Sequence, residues 1–265
     1  MNIVVCVKQV PSPDALSKAR VDSKTKTLLR HEAVSLIINP LDENAIEEAL
    51  RLRERHGGKV TVITMGPPQA ESALRRALAM GADKAVLITD PALAGSDTLA
   101  TSYVLSTAIK KIGEFNLVLL GKHTIDGDTA QVGPQLAEQL ELPQITCAQK
   151  IEIKDNTVKA ESSFEDFFEV MEVPLPAVLT VTDEINKPRR PGMRGVLKAR
   201  RAEIPQWGVT ALNLDSNRIG LDGSPTRVVG LSTPEFGRKK KEMLTGSISR
   251  QIDTLLNRLK ENGII

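Results

Sequence analysis

Aromatic residues are scarce in this chain, with one Trp, one Tyr and five Phe among 265 residues. Surfaces that grip nucleic acid need a concentrated basic face with stacking rings, and 35 basic side chains against 33 acidic ones leave no bulk excess of positive charge. Nucleic-acid binding is therefore not expected. Cysteine is almost absent as well. Cys6 and Cys147 lie far apart without C-x-x-C spacing, which excludes a disulfide-stapled secreted fold and supports neither a redox pair nor a zinc site. The three histidines, His31, His56 and His123, have no metal-ligand spacing, and no nucleophile motif accompanies them. No apolar run approaches the roughly 18 residues of a membrane span, and the opening MNIVVCVKQVP lacks the basic and small-residue features of a signal peptide. A cytoplasmic protein without membrane insertion is expected. Two nucleotide fingerprints are missing too. No G-x-G-x-x-G follows the first apolar run and no G-x-x-x-x-G-K-[ST] occurs anywhere, so any nucleotide must be held in another way.

What is present is a strong alternation. Short apolar runs at Ile3 to Val7, Val60 to Met65, Ala85 to Ile88 and Leu117 to Leu120 have the composition of buried strands. Segments of helical period separate them, at 40–56, 69–80 and 97–112. In the first, Asn39 is placed to cap, Pro40 suits the first helical position, and Gly57-Gly58 stops the pattern. Strand alternating with helix predicts a doubly wound α/β domain with a mostly parallel sheet covered on both faces. After residue 144 the rhythm becomes β-rich, with strands expected at 145–154, 157–161, 166–172 and 177–182 and a hairpin in the middle pair. Phe164, Phe167 and Phe168 fall there and read as core or edge packing. Residues 186–201 read as a loop rich in Pro, Gly and Arg. A Gly/Ser/Pro/Asp-rich stretch from 208 to about 237 is expected to be extended with little core of its own, and 239–262 to form a last helix. The domain division that follows is 1–207 for the α/β domain with its protruding loop and 208–265 for a C-terminal arm and helix.

Open α/β sheets bind ligands beyond the carboxyl ends of their strands. Four junctions there are informative: Cys6-Val7-Lys8, Asn39-Pro40-Leu41-Asp42, Met65-Gly66-Pro67 and the long run from Gly121 through Lys122, His123, Thr124, Ile125, Asp126, Gly127, Asp128, Thr129, Ala130, Gln131 and Val132 to Pro134. In the last, Asp126-Gly127 favours a turn and Pro134 is tolerated only near a helix start, so a helix begins close to 129–133. Such a junction presents free N–H groups and a partial positive charge. It suits a phosphate or pyrophosphate, or it is an ordinary capped strand-to-helix loop. His56 reads as a helix C-terminal residue. Glu43, Glu47 and Glu48 read as a solvated helix face, so no acid/base dyad is assigned. The segment 187–201 carries Lys187, Arg189, Arg190, Arg194, Lys198, Arg200 and Arg201 with no acidic residue, and sets Met193 between Gly192 and Arg194. Three readings stand there: an apolar anchor for a protein partner steered by charge, a contact to nucleotide phosphate, or a solvated loop.

Six segments taken in order, VCVKQV at the start, NPLDENAIEEAL at 39–50, ALAMGADKA at 77–85, LVLLGKHTIDGD at 117–128, LPAVLTV at 175–181 and MRGVLKAR at 193–200, resemble the β subunits of electron transfer flavoproteins, the family that includes FixA. The resemblance implies a flavodoxin-like or adenine nucleotide α-hydrolase-like fold and a heterodimer with an FAD-containing α subunit. It also implies a nucleotide in the β subunit, AMP in the ordinary type and a second FAD in the electron-bifurcating type, where NADH is the donor. The family's nucleotide positions fall on Cys6, Asn39 to Asp42, Met65 and Gly121 to Val132. The sequence DGDTAQVGP resembles the bifurcating subgroup: Gly127 leaves room for a second phosphate and Thr129 can donate to it. In the family an apolar side chain of the basic loop docks a partner dehydrogenase, and Met193, followed by Arg194, stands at that position. The resemblance further implies a C-terminal arm that wraps the α subunit, and ferredoxin or flavodoxin as low-potential acceptor. Rival readings are an AMP-holding single-flavin carrier and a stand-alone nucleotide-sensing module. An adenylating enzyme is disfavoured by the absence of a Ser/Gly-rich loop at the first strand.

Overall fold

The computed structural model describes residues 1–16, 35–164, 167–229 and 243–265. In chain order the strands and helices are β1 (Asn2–Cys6), β2 (Gln9–Pro11), α1 (Pro13–Leu16), β3 (Leu36–Ile38), α2 (Pro40–His56), β4 (Lys59–Met65), α3 (Glu71–Met80), β5 (Lys84–Ile88), α4 (Thr98–Ile112), β6 (Leu117–Gly121), α5 (Val132–Leu140), β7 (Gln144–Lys154), β8 (Thr157–Ser163), β9 (Phe168–Pro174), β10 (Ala177–Val181), α6 (Met193–Arg201), β11 (Gln206–Trp207), α7 (Val209–Leu212) and α8 (Ile248–Glu261). His31 lies outside the described residues.

One sheet runs β11-β5-β4-β1-β6-β10-β7-β8-β9, parallel from β11 to β7 and antiparallel beyond; β2 and β3 form a separate antiparallel pair. The doubly wound α/β architecture expected from the alternation is what forms. Strand residues alternate between two apolar layers, as a period of two requires. Ile3, Val5, Leu117 and Leu119 pack with Ala45, Ile46, Leu50, Leu74 and Ala77 of α2 and α3. Val4, Cys6, Val118 and Leu120 pack with Val104, Leu105, Ile109 and Leu136 of α4 and α5. β1 to β4 to β5 proceeds toward one edge of the sheet, and α4 then returns the chain to β6 on the other side of β1. The winding thus reverses between β1 and β6, which is the switch point where α/β sheets open a crevice.

The β-rich extension also forms, and β8 and β9 pair as a hairpin. Asp155 and Asn156, which join β7 to β8, have φ of 48° and 64°, the twist that a tight turn between right-handed strands requires. Three expectations are corrected. The segment 186–201 is not wholly a loop, since α6 occupies Met193–Arg201; its prolines and Gly192 precede the helix, Gly195 lies within it, and the arginines and lysine of the helix are good helix formers. The last helix spans Ile248–Glu261 rather than 239–262, with 239–242 outside the described residues and Met243 exposed ahead of it. The stretch after 207 is not free of core. Leu212, Leu214 and Ile219 are buried beside Val104 and Ile109, and the Arg218 guanidinium lies 3.8 Å over the Tyr103 ring. The compact α/β unit accordingly runs from Met1 to Val229 and not to 207, and Gly230–Ile265 form the second unit. Within that unit α8 is capped by Ser247 and exposes Ile248, Ile252, Leu255 and Leu256 along one face.

If residues 208–229 are integral to the α/β unit, Leu212→Ala destabilises the chain by about 2–5 kcal/mol, the cost of a core truncation, as read from urea unfolding. A change below about 0.5 kcal/mol, ordinary for a surface substitution, contradicts that assignment.

Candidate functional site

The crevice is built on the first turn of α2. Asn39, at the N-cap, does not cap its own helix through its side chain. Its amide instead donates from Nδ2 to the carbonyl of His123 (2.9 Å) and accepts at Oδ1 from the backbone N–H of Ile125 (3.1 Å), while its backbone N–H donates to the carbonyl of Lys8 (2.9 Å). Asp42, three residues on and 4% exposed, splits its carboxylate: Oδ2 accepts the N–H of Lys8 at 2.8 Å and Oδ1 the N–H of Gly121 at 2.9 Å. Two side chains of one helical turn therefore hold the exits of β1 and β6 at fixed spacing. A Cβ on Gly121 would fall 2.6 Å from Asp42 Oδ1 and 2.7 Å from the Leu41 Cβ, so only glycine permits that approach.

Beyond Gly121 the chain climbs into an exposed crest. Lys8 Nζ bonds the buried carboxylate of Asp126 at 2.8 Å, the N–H of Asp128 returns to the carbonyl of Thr124 at 2.8 Å, and His123 Nδ1 lies 3.4 Å from Asp128 Oδ1. Asp128 and Ala130 have φ of 48° and 53°, while Gln131 is right-handed at φ −92°, ψ −29°. A left-handed residue followed by a right-handed one turns successive N–H groups to one side, the geometry of an anion-binding nest. Among the described residues nothing accepts from the amides of Thr129, Ala130 or Gln131. They stand directly before α5, whose first-turn amides have no intrahelical partner. Gly133 lets α5 start close to β10: a Cβ there would lie 2.3 Å from Thr180 Cγ2. A hydrogen bond of 2.9 Å from Thr98 Oγ1 to Gln131 Oε1 brings the start of α4 alongside. The exposed amides of Thr129 to Gln131 and the N-terminus of α5 thus present donors of the kind that phosphate oxygens accept from, whereas at α4 the Leu99 and Ala100 amides are already taken by the Asp97 carboxylate.

Cys6, Asn39 to Asp42, Met65 and Gly121 to Val132 converge because β4, β1 and β6 are neighbours in the sheet. Their roles differ. The side chains of Cys6, Asn39, Leu41 and Asp42 are buried beneath the crest, whereas Gly127 to Gln131 are exposed. Burial pushes the Cys6 thiol up, with the Asp42 carboxylate adding to it, so this cysteine is an inert packing residue. Lys8 falls in the first of the junctions read from the sequence, where its ammonium has no role assigned; Thr98 is not anticipated there, although the Ser-Asp-Thr run that opens α4 marks it.

Glu43, Glu47 and Glu48 are not a solvated face. Glu47 and Glu48 are 3% and 4% exposed, and Glu43 is half-buried against Arg76. Glu47 accepts from Arg51 at 2.9 Å and from Arg189 Nε at 2.7 Å; burial works to raise its carboxyl, and these bonds hold it below the usual range. Glu48 pairs with Arg55 at 3.1 Å. Met193 and Arg194 begin α6, which packs on α3 and forms a surface of its own.

Fold and crevice together define an α/β protein whose strand ends carry a run of exposed, unpartnered backbone donors. The electron transfer flavoprotein domain matches residues 27–212. The chain is 50% identical over 266 residues to the electron transfer flavoprotein subunit beta of Thermoanaerobacterium thermosaccharolyticum, with 100% of both chains covered. It is 45% identical to protein FixA of Azorhizobium caulinodans, across 97% of this chain and 92% of that one. It is also 42% identical, with 100% of each covered, to the caffeyl-CoA reductase-Etf complex subunit CarD of Acetobacterium woodii. The chain belongs to the electron transfer flavoprotein β-subunit family. With that membership come a role in electron transfer, pairing with an α subunit, and association with a flavin or nucleotide. No helix among the described residues is long and apolar enough to cross a membrane.

The buried Asp42 gives a pH signature. Burial pushes its carboxyl up to about 7 against the opposing pull of the Lys8, Asn39 and Gly121 donors, whereas the unfolded chain titrates near the ordinary value of about 4. The folded state then binds the extra proton between those values, so this group's contribution to stability is full below about pH 4 and is lost as pH rises to about 7. Urea unfolding of the wild type and of Asp42→Asn across that window should show a stability difference that shifts against the wild type as pH rises. A pH-independent difference contradicts the raised value.

Proposed function

We propose that this subunit holds FAD in the cradle formed by residues 121–132, takes a hydride from NADH there, and works with an FAD-containing α subunit in flavin-based electron bifurcation in the cytoplasm. One electron goes on to a partner flavin-dependent dehydrogenase and the other to ferredoxin or flavodoxin. The observation that carries the reading is the run of unpartnered amides at Thr129, Ala130 and Gln131 directly before the N-terminus of α5, which no side chain caps. The CarD likeness supports it from outside the chain, that relative being named as a subunit of a reductase-Etf complex.

The residues fit such a group. The Thr129 to Gln131 amides would donate to the pyrophosphate, with Lys8 supplying a compensating cation and Gly127 keeping the crest free of a side chain. Asn39 and Asp42 act from below by fixing the two strand exits, and Cys6, Leu41 and Met65 line the floor on the adenosine side. When bound, the flavin supplies hydride and single-electron chemistry; the chain supplies position and electrostatics. Nothing in this reading asks a side chain to act as acid, base or nucleophile. Met193 with Arg194 would meet the dehydrogenase, and the C-terminal unit would wrap the α subunit, its exposed α8 face providing apolar surface for that contact.

Gly127→Glu tests the cradle, because a Cβ at that position meets nothing closer than Thr124 Oγ1 at 3.5 Å, so the substitution starts without a backbone clash. In the co-expressed α/β pair this substitution is expected to halve the bound flavin while the α-subunit flavin stays. Unchanged flavin content contradicts the assignment.

A further inference from the structure

Helix α6 is anchored more heavily than a solvent loop requires. At its C-terminal end Arg75 of α3 gathers three backbone carbonyls with a single nitrogen: Nη1 donates to Ala199, to Arg200 at 3.3 Å and to Ala202 at 3.1 Å. The last carbonyls of a helix have no intrahelical donor, so a cation there both satisfies them and complements the dipole. Arg75 is itself held by Glu71 through Nε at 2.8 Å. Ahead of α6, Arg189 forks across α2, with Nε on Glu47 at 2.7 Å and Nη1 on Glu54 at 2.6 Å. At the crossing with α3, a Cβ on Gly195 would lie 2.3 Å from the carbonyl oxygen of Ala79, so the two backbones touch.

The face that this mounting turns outward is apolar at its centre. Met193 is 78% exposed and Leu197 50%, and their i, i+4 spacing makes them neighbours on one stripe. Arg194, Lys198, Arg200 and Arg201 surround them, and α6 contains no acidic residue. Ordering a segment on binding costs free energy that a pre-formed element does not lose, so a helix clamped at both ends is suited to contact rather than to solvation.

We propose that Arg75 and Arg189 are positioning residues of a docking surface whose second anchor is Leu197, and that its partner is a protein with an apolar socket bordered by carboxylates. The proposal rests on the reading of Met193 as the dehydrogenase anchor. Unlike charge or apolar character alone, the double clamp fixes the spacing of the two anchors before the partner arrives.

The test uses the intact α/β pair. Amide hydrogen exchange over 196–201 is measured on the pair alone, and KM and kcat are measured with its cognate dehydrogenase. Leu197→Ala, a surface change, is expected to raise KM for the dehydrogenase about tenfold, the loss of a modest hot spot, without altering kcat or exchange. Arg75→Ala and Arg189→Gln should raise exchange over 196–201 about tenfold or more and raise KM with it, leaving NADH oxidation by an artificial acceptor unchanged. Unaltered exchange in both arginine variants, or raised exchange with KM unmoved, overturns the positioning role. A wild-type KM in Leu197→Ala overturns the second anchor. Met193→Ala separates the two readings. If it raises KM while the other three variants do not, the Met193 reading stands and this proposal fails; if it leaves KM unmoved while they raise it, the surface stands and the Met193 reading fails.

Discussion

The carboxylate of Asp42 is the tie on which the site depends. A parallel sheet delivers its strand ends to one edge, but it does not fix how far apart the loops beyond that edge stand. Here one side chain from the first turn of α2 takes the N–H of Lys8 with one oxygen and the N–H of Gly121 with the other, across the point where the winding reverses. Removing it would strand two buried donors at about 1–3 kcal/mol each. Asn39 extends the same hold into the loop through His123 and Ile125. Everything above, from the Lys8–Asp126 pair to the exposed amides before α5, is positioned by that turn.

Helix α2 serves the molecule at both ends of its length. Its first turn organises the cradle, while Glu47, Glu48 and Glu54 further along receive Arg189, Arg55 and Arg51 and so fix the segment that leads into α6. Glu47 and Glu48, buried where Glu54 is exposed, are tolerated because each has a guanidinium partner; unpaired, their desolvation would dominate. The Arg189 guanidinium is in turn held charged by the Glu47 and Glu54 bonds. The proposed cradle and the proposed docking surface therefore both rest on α2, the first on its opening turn and the second on its later carboxylates.

Much of this was legible in the residues. Short apolar runs separated by helical stretches define the α/β class, and Asp155-Asn156 marks the tight turn between β7 and β8. The cradle was legible because Asp126-Gly127 and Pro134 bracket a helix start after a buried strand. What escaped had physical reasons. Glu47 and Glu48 look like surface residues because their burial depends on Arg189 and Asn186, which are remote in sequence. Asn39 looks like a cap because an N-cap residue ordinarily bonds its own helix, and only the tertiary approach of 123–125 offers it better partners. Helix α6 hides behind Pro188, Pro191 and Gly192, and the carbonyls at its end are held by Arg75 of α3, which is remote in sequence. The packing of 208–229 rests on three apolar residues, Leu212, Leu214 and Ile219, too widely spaced to stand out as a pattern.

The central claim is that the cradle beyond β6 is built for a pyrophosphate and hence for a flavin of its own. Identifying and counting the nucleotides released from the co-purified α/β pair tests it most directly. The account predicts FAD from both subunits and no AMP. One FAD together with one AMP would contradict it, and would make the exposed amides of Thr129, Ala130 and Gln131 the seat of a single phosphate.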